Sequence, residues 1–147
     1  MSVSLYGSGQ TAIQIVSATN STSTSTSSSS FVATNLAITI TPQSTTSKIL
    51  IMVIGGGFDT QASGRQIAPT FYRNNTTELT GNSLGFGTLY GGNSQIQGSF
   101  NCGFVDSPST TSATTYTLYL KSNNGGTVIW NAATALTTIL AIEISGS

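Results

Sequence analysis

Asp59, Glu78, Asp106 and Glu143 are the four carboxylates of this chain, and without any histidine they carry whatever acid–base chemistry it could perform. Glycoside hydrolysis needs only two carboxylates facing each other across a substrate, so a histidine-free glycosidase is the enzyme class these residue types allow. A Ser-His-Asp or Cys-His arrangement is excluded, and so is a zinc site of the usual ligand spacing. Local context favours structural roles instead. Asp106 precedes Ser107-Pro108, where a carboxylate caps its own turn. Asp59 follows Gly55-Gly56-Gly57 and Arg65 follows Gly64, which suits a surface ion pair or a contact to a partner. No catalytic residue, metal or cofactor is assigned, and the chain reads as a non-enzyme whose function lies in its surfaces.

Lys48, Arg65, Arg73 and Lys121 balance the four acids, so the formal net charge is zero and no basic stripe exists. Nucleic acid and anionic membranes, which are bound through clustered Lys and Arg, are not expected partners. A near-zero charge also removes the self-repulsion that keeps many proteins monomeric, so self-association is expected. Cys102 is the single cysteine, which rules out an intrachain disulfide. It shares strand parity with Phe100 and Phe104 and reads as a small buried hydrophobe. The start of the chain lacks the pattern of a secretion signal, and no apolar run reaches the roughly 18 residues of a membrane span.

Strands must position these residues. Thr11 to Ser17 alternates, and so does Leu36 to Thr41, where Leu36, Ile38 and Ile40 oppose Ala37, Thr39 and Thr41 before Pro42 ends the run. Lys48 to Gly55 differs, because Ile49 to Ile54 leaves neither face polar and must be covered on both. Ile67 to Arg73 is a further strand, and Gln95 to Val105 reads as one long strand bent by Gly98 and Gly103. Thr114 to Lys121 alternates Tyr116, Leu118 and Leu120 against Thr115, Thr117 and Tyr119. Asn123-Asn124-Gly125-Gly126 then predicts a hairpin into Thr127 to Asn131. Thr137 to Ile144 closes the chain, with Leu140, Ile142 and Ile144 in one row and Ile139, Ala141 and Glu143 in the other.

Strands at short intervals without helical crossovers predict an all-β antiparallel sandwich, and their number suits a jelly roll. The domain is expected to span 11–147, preceded by an N-terminal arm over 1–10. Within it the Ser/Thr tract at 19–30 reads as a flexible loop, with an edge strand through Thr22, Thr24 and Thr26 as the alternative. Gly81 to Asn93, rich in glycine, reads as an exposed loop able to carry recognition through Leu84, Phe86, Leu89 and Tyr90. Trp130 and the tyrosines suit core or interface positions, with stacking on sugars as the other use.

The order of several motifs is itself informative. Phe31-Val32-Ala33-Thr34, Leu36-Ala37-Ile38-Thr39-Ile40-Thr41-Pro42, Ser47-Lys48-Ile49-Leu50-Ile51 and Thr70-Phe71-Tyr72-Arg73-Asn74 together resemble repeated domains of bacteriophage structural proteins. Asp106-Ser107-Pro108, Ser112 to Leu118 and Leu140-Ala141-Ile142-Glu143-Ile144 continue the resemblance over most of 11–144. The arrangement is also similar to the jelly roll of the tumour-necrosis-factor and complement-C1q group, which assembles as trimers. That resemblance implies an inner sheet made of Thr11 to Ser17, Lys48 to Gly55, Thr114 to Lys121 and Thr137 to Ile144. It further implies a trimer interface using Met52, Tyr119, Ile139 and Ala141.

The resemblance implies a virion protein, made in the host cytoplasm. The expected function is a homotrimeric capsid decoration protein that binds the major capsid protein of a phage from outside, with Ser2, Val3, Leu5 and Tyr6 of the arm as capsid contacts. The alternative is a glycan- or host-receptor-binding head of a tail fibre or tail tip, using the 81–93 loop.

Overall fold

The computed structural model describes residues 11–146. The expected arm, with Ser2, Val3, Leu5 and Tyr6, lies outside them. The described residues are all-β, without an α-helix, and every strand pairing is antiparallel. In chain order the strands are β1 (Ala12–Asn20), β2 (Thr24–Thr26), β3 (Val32–Ile40), β4 (Lys48–Gly55), β5 (Gly57–Asp59), β6 (Arg65–Arg73) and β7 (Thr77–Glu78). They continue as β8 (Leu89–Gly91), β9 (Gln97–Ser99), β10 (Cys102–Asp106), β11 (Thr114–Ser122), β12 (Val128–Trp130) and β13 (Thr137–Ile144).

The chain folds as a β-sandwich. One sheet has the order β1-β13-β4-β10; the second runs β3-β11-β6-β7 with β8 also on β6; a small third sheet runs β2-β12-β5-β9. Period-2 alternation places Ile49, Ile51, Val53, Ile139 and Ala141 of the first sheet against Leu36, Ile38, Ile40, Phe71, Tyr116, Leu118 and Leu120 of the second, all buried in one cluster. Phe58, Val128 and Trp130 extend that cluster from the third sheet, the Phe58 and Trp130 rings lying 5.0 Å apart. The chain steps from β4 to β5 through Gly56, at φ 80°, where a Cβ would collide with Thr137 Oγ1 and the Trp130 ring. Only glycine fits there.

Four elements differ from the sequence reading. The predicted hairpin does not form, because both edges of β11 are taken by β3 and β6 while β12 pairs with β2 and β5. Gly125 and Gly126, at φ 64° and 137°, carry the chain out of one sheet into another, and a Cβ on Gly126 would strike the Arg65 guanidinium. The long Gln95 to Val105 strand is two strands in different sheets, broken at Phe100-Asn101, where Asn101 Oδ1 accepts from Gly55 N at 3.0 Å. The Ser/Thr tract departs from the flexible-loop reading and takes the edge-strand alternative over Thr24–Thr26, with Thr24 and Thr26 half-buried and Thr22 outside the strand. Finally, β11 lies in the second sheet, and its expected place in the first is filled by β10.

Candidate functional site

The outward face of the first sheet is the most distinctive surface. Register sets Ile15 of β1 opposite Ile142 of β13, Ile142 opposite Leu50 of β4, and Leu50 opposite Val105 of β10, so one apolar row crosses all four strands. Ile15 and Val105 are 63% and 50% exposed, values that belong to large apolar side chains facing solvent. The next row holds Ser17, Leu140, Met52 and Gly103, and beyond it Ile54 is exposed opposite Thr138. Lys48, opposite Ile144 at the rim, is the charge on these rows, because Glu143 points inward. A contiguous apolar face of this kind marks an interaction surface.

This geometry corrects part of the expected interface. Ile139 and Ala141 are fully buried in the core of their own chain, so the outward row of β13 is Thr138, Leu140, Ile142 and Ile144. Both rows of β13 are apolar, and the row that turns inward carries Glu143, whose buried carboxylate is satisfied by Gln14 Nε2 and Gln43 N. Met52 does lie on the outward face, half-buried. Tyr119 belongs to the second sheet, away from that face. There it stacks on Tyr72 with centroids 4.0 Å apart, beside Phe31, whose ring lies 6.3 Å from Tyr72 and 4.9 Å from Lys121 Nζ. The outward face of the second sheet is thus aromatic and polar, with Glu78 opposite Tyr72 and a Thr39–Thr115 hydroxyl contact at 2.7 Å.

The 81–93 segment is only partly the exposed loop that its glycines suggested. Leu84 and Tyr90 are exposed, but Phe86 and Leu89 pack against the core, and Leu89 begins β8. Gly85 lets the loop lie on β6, since a Cβ there would collide with the Pro69 carbonyl, and Phe86 N donates to that carbonyl at 2.9 Å. Between this loop and β9 opens a cleft of about 300 Å³ lined by Phe58, Pro69, Phe86, Leu89, Ser99 and Phe100, among others.

Each carboxylate is already engaged. Buried Asp59 accepts from Gln95 Nε2 at 2.7 and 2.8 Å, from Gln97 Nε2 at 2.7 Å and from Gln61 N at 2.6 Å. It forms no pair with Arg65: the glutamine amides and Gln61 N fill the acceptor sites of this buried carboxylate, while the Arg65 guanidinium donates to the Gly125 carbonyl. Asp106 does not cap its turn; it is buried, paired with Arg73 and bonded by Tyr116 Oη. Glu78 accepts from the Thr70 and Thr80 hydroxyls and from Thr80 N and Gly81 N. Glu143 accepts from Gln14 Nε2 at 2.6 Å and Gln43 N at 2.7 Å. Burial pushes Asp59, Glu78 and Glu143 upward, yet these hydrogen bonds outweigh it and hold all three below their ordinary values. Burial pushes the Cys102 thiol up to about 12.

No protein-family model matches the chain, and no curated protein is significantly similar to it in sequence.

Proposed function

We propose that this chain is a structural virion protein: a homotrimeric jelly roll that sits on the outside of a phage capsid and stabilises it by clamping neighbouring capsid subunits. The observation that carries this reading is the apolar outward face of β1-β13-β4-β10. Ile15, Ile142, Leu50 and Val105 cross it in one row, and no charge interrupts them. Covering such side chains contributes roughly 1.5–3 kcal/mol for each one fully buried, and three-fold packing of like sheets covers this face in every subunit. The strand orders β1-β13-β4-β10 and β3-β11-β6-β7 are in keeping with a jelly roll of two facing four-stranded sheets. The polar, aromatic second sheet is the face left for solvent. No catalytic step is assigned, because every carboxylate is committed to hydrogen bonds within the chain.

The test mixes purified protein with phage capsids lacking it. The reading expects saturable binding in multiples of three and a higher temperature of capsid disruption. Capsids that bind none of it and melt unchanged would overturn the reading.

A second reading, a glycan- or receptor-binding head of a tail fibre or tail tip, is favoured by the Tyr72–Tyr119 stack and by Tyr90, 52% exposed. Aromatic faces beside amides and hydroxyls suit sugar rings. Binding on a glycan array, lost on Tyr119→Ala, would favour this reading over capsid decoration.

A further inference from the structure

We infer that the turn between β11 and β12 is a site of spontaneous covalent modification: in the folded chain Asn124 loses its side-chain amide without an enzyme, and the turn lets go of Gly64. An asparagine side chain is open to attack by the backbone nitrogen of the residue that follows, one reason asparagine is thermolabile. The Gly125 nitrogen gives its proton to solvent and bonds to Asn124 Cγ. The Cγ–Nδ2 bond breaks, and ammonia leaves with a proton taken from solvent. Water then opens the five-membered imide at either carbonyl. The product is aspartate at 124 or its isomer, in which the chain runs through the side-chain carboxyl. One water is consumed, one ammonia is released, and no other reactant is needed. A following glycine lacks the Cβ that would shield the attacking nitrogen. Of the ten asparagines, Asn124 is the single one that glycine follows.

The fold leaves this reaction open. Asn124 and Gly125 are both exposed. Gly125 N donates no hydrogen bond among the described residues, so the attacking atom is not tied to a carbonyl. At φ 64° a Cβ on Gly125 would meet nothing within 4 Å, so no neighbour crowds the forming ring. The same surroundings say what the reaction changes. Asn124 Nδ2 donates to the Gly64 carbonyl at 3.0 Å. A carboxylate in its place is acceptor-only, so two acceptors face each other and that bond is lost. The new charge arrives beside Arg65, whose guanidinium already donates to the Gly125 carbonyl, and it moves the formal net charge from zero to one negative. The isomer adds a backbone carbon to the connection that carries the chain from the second sheet to the third. The inference is independent of the trimeric reading, which concerns the first sheet.

The test incubates the full chain, its Asn124→Gln variant and the peptide acetyl-Ser-Asn-Asn-Gly-Gly-Thr-amide side by side at pH 8. Mass spectrometry of the tryptic fragment 122–147 reads the change from amide to acid, and fragment ions separate Asn123, Asn124 and Asn131. Asn124 should convert at least about tenfold faster than any other asparagine of the folded chain. Its rate should lie within about tenfold of the peptide's, because an exposed turn needs no opening in order to react. Asn124→Gln, whose longer side chain would have to close a six-membered ring, should stay unconverted at that position. Asn124→Asp makes one product directly and should move the amide resonances of Gly64 and Arg65. Faster conversion at another asparagine, a folded chain slower than the peptide by more than about tenfold, or unmoved Gly64 and Arg65 resonances in Asn124→Asp would overturn the inference. If Asn124→Asp fails to fold, the rates on the unmodified chain decide alone.

Discussion

Arg73 Nη1 donates to both carboxylate oxygens of Asp106 at 2.9 Å and so ties β6 of one sheet to β10 of the other. Tyr116 Oη, fully buried on β11, donates to the same carboxylate at 2.8 Å. It is the one ion pair among the described residues, and its position between the sheets makes it a cross-brace of the sandwich.

Removing the carboxylate strands both donors. Asp106→Ala should lower stability by about 2 kcal/mol, the scale of leaving the buried Tyr116 hydroxyl unpaired beside a half-buried Arg73, whereas Tyr116→Phe should cost about 1 kcal/mol. Denaturant unfolding measures both. A loss below about 1 kcal/mol for Asp106→Ala would mean that the pair does not brace the sheets.

Acid should destabilise the fold through the other three carboxylates. Glu143, Glu78 and Asp59 titrate below their ordinary values of 4.5, 4.5 and 3.8 in the folded chain, so the unfolded chain takes up protons first as pH falls. Their contribution is complete above those ordinary values and is lost as pH falls through the lower folded-state values. The thermal midpoint should be level from pH 8 to about 5 and drop below about 4, less steeply in Glu143→Gln. A midpoint that rises on acidification would contradict this.

The Cys102 thiol, raised to about 12 by burial, should resist a disulfide reagent at pH 8 in the folded protein and react at once on unfolding. Rapid labelling of the native chain would show that the inner side of β10 is open to solvent.

Most strands were legible from period-2 alternation or from a short run rich in β-branched apolar residues bounded by turn residues: Lys48–Gly55 and Thr137–Ile144, both of the second kind, have the bounds that the sequence predicts. What could not be read was which of two apolar rows turns inward. In β13 both rows are apolar, and the inward one even carries Glu143, whose donors Gln14 and Gln43 are 129 and 100 residues away in sequence and cannot be read from the strand itself. Ile15 and Val105 escaped notice for a related reason, since their role appears only when register aligns four strands distant in sequence. The hairpin failed because the turn residues were right but the edges of β11 were already taken. Phe86 and Leu89 were read as exposed because glycine-rich composition says nothing of a loop that packs back on β6.

A charge in the middle of the apolar row tests what covers it. Ile142→Lys should leave a folded chain, because the side chain points outward, and should reduce the assembled mass to that of a monomer. Light scattering with circular dichroism reads both. A variant that folds and assembles as before would move the interface elsewhere.

The mass of the purified, unmodified chain in solution, by light scattering coupled to size-exclusion chromatography, is the most direct test of the central claim. A mass near three times 15.1 kDa is predicted, because the proposed three-fold packing would hide Ile15, Leu50, Val105 and Ile142 from water. A stable monomer of 15.1 kDa would leave that face bare and contradict the trimeric account.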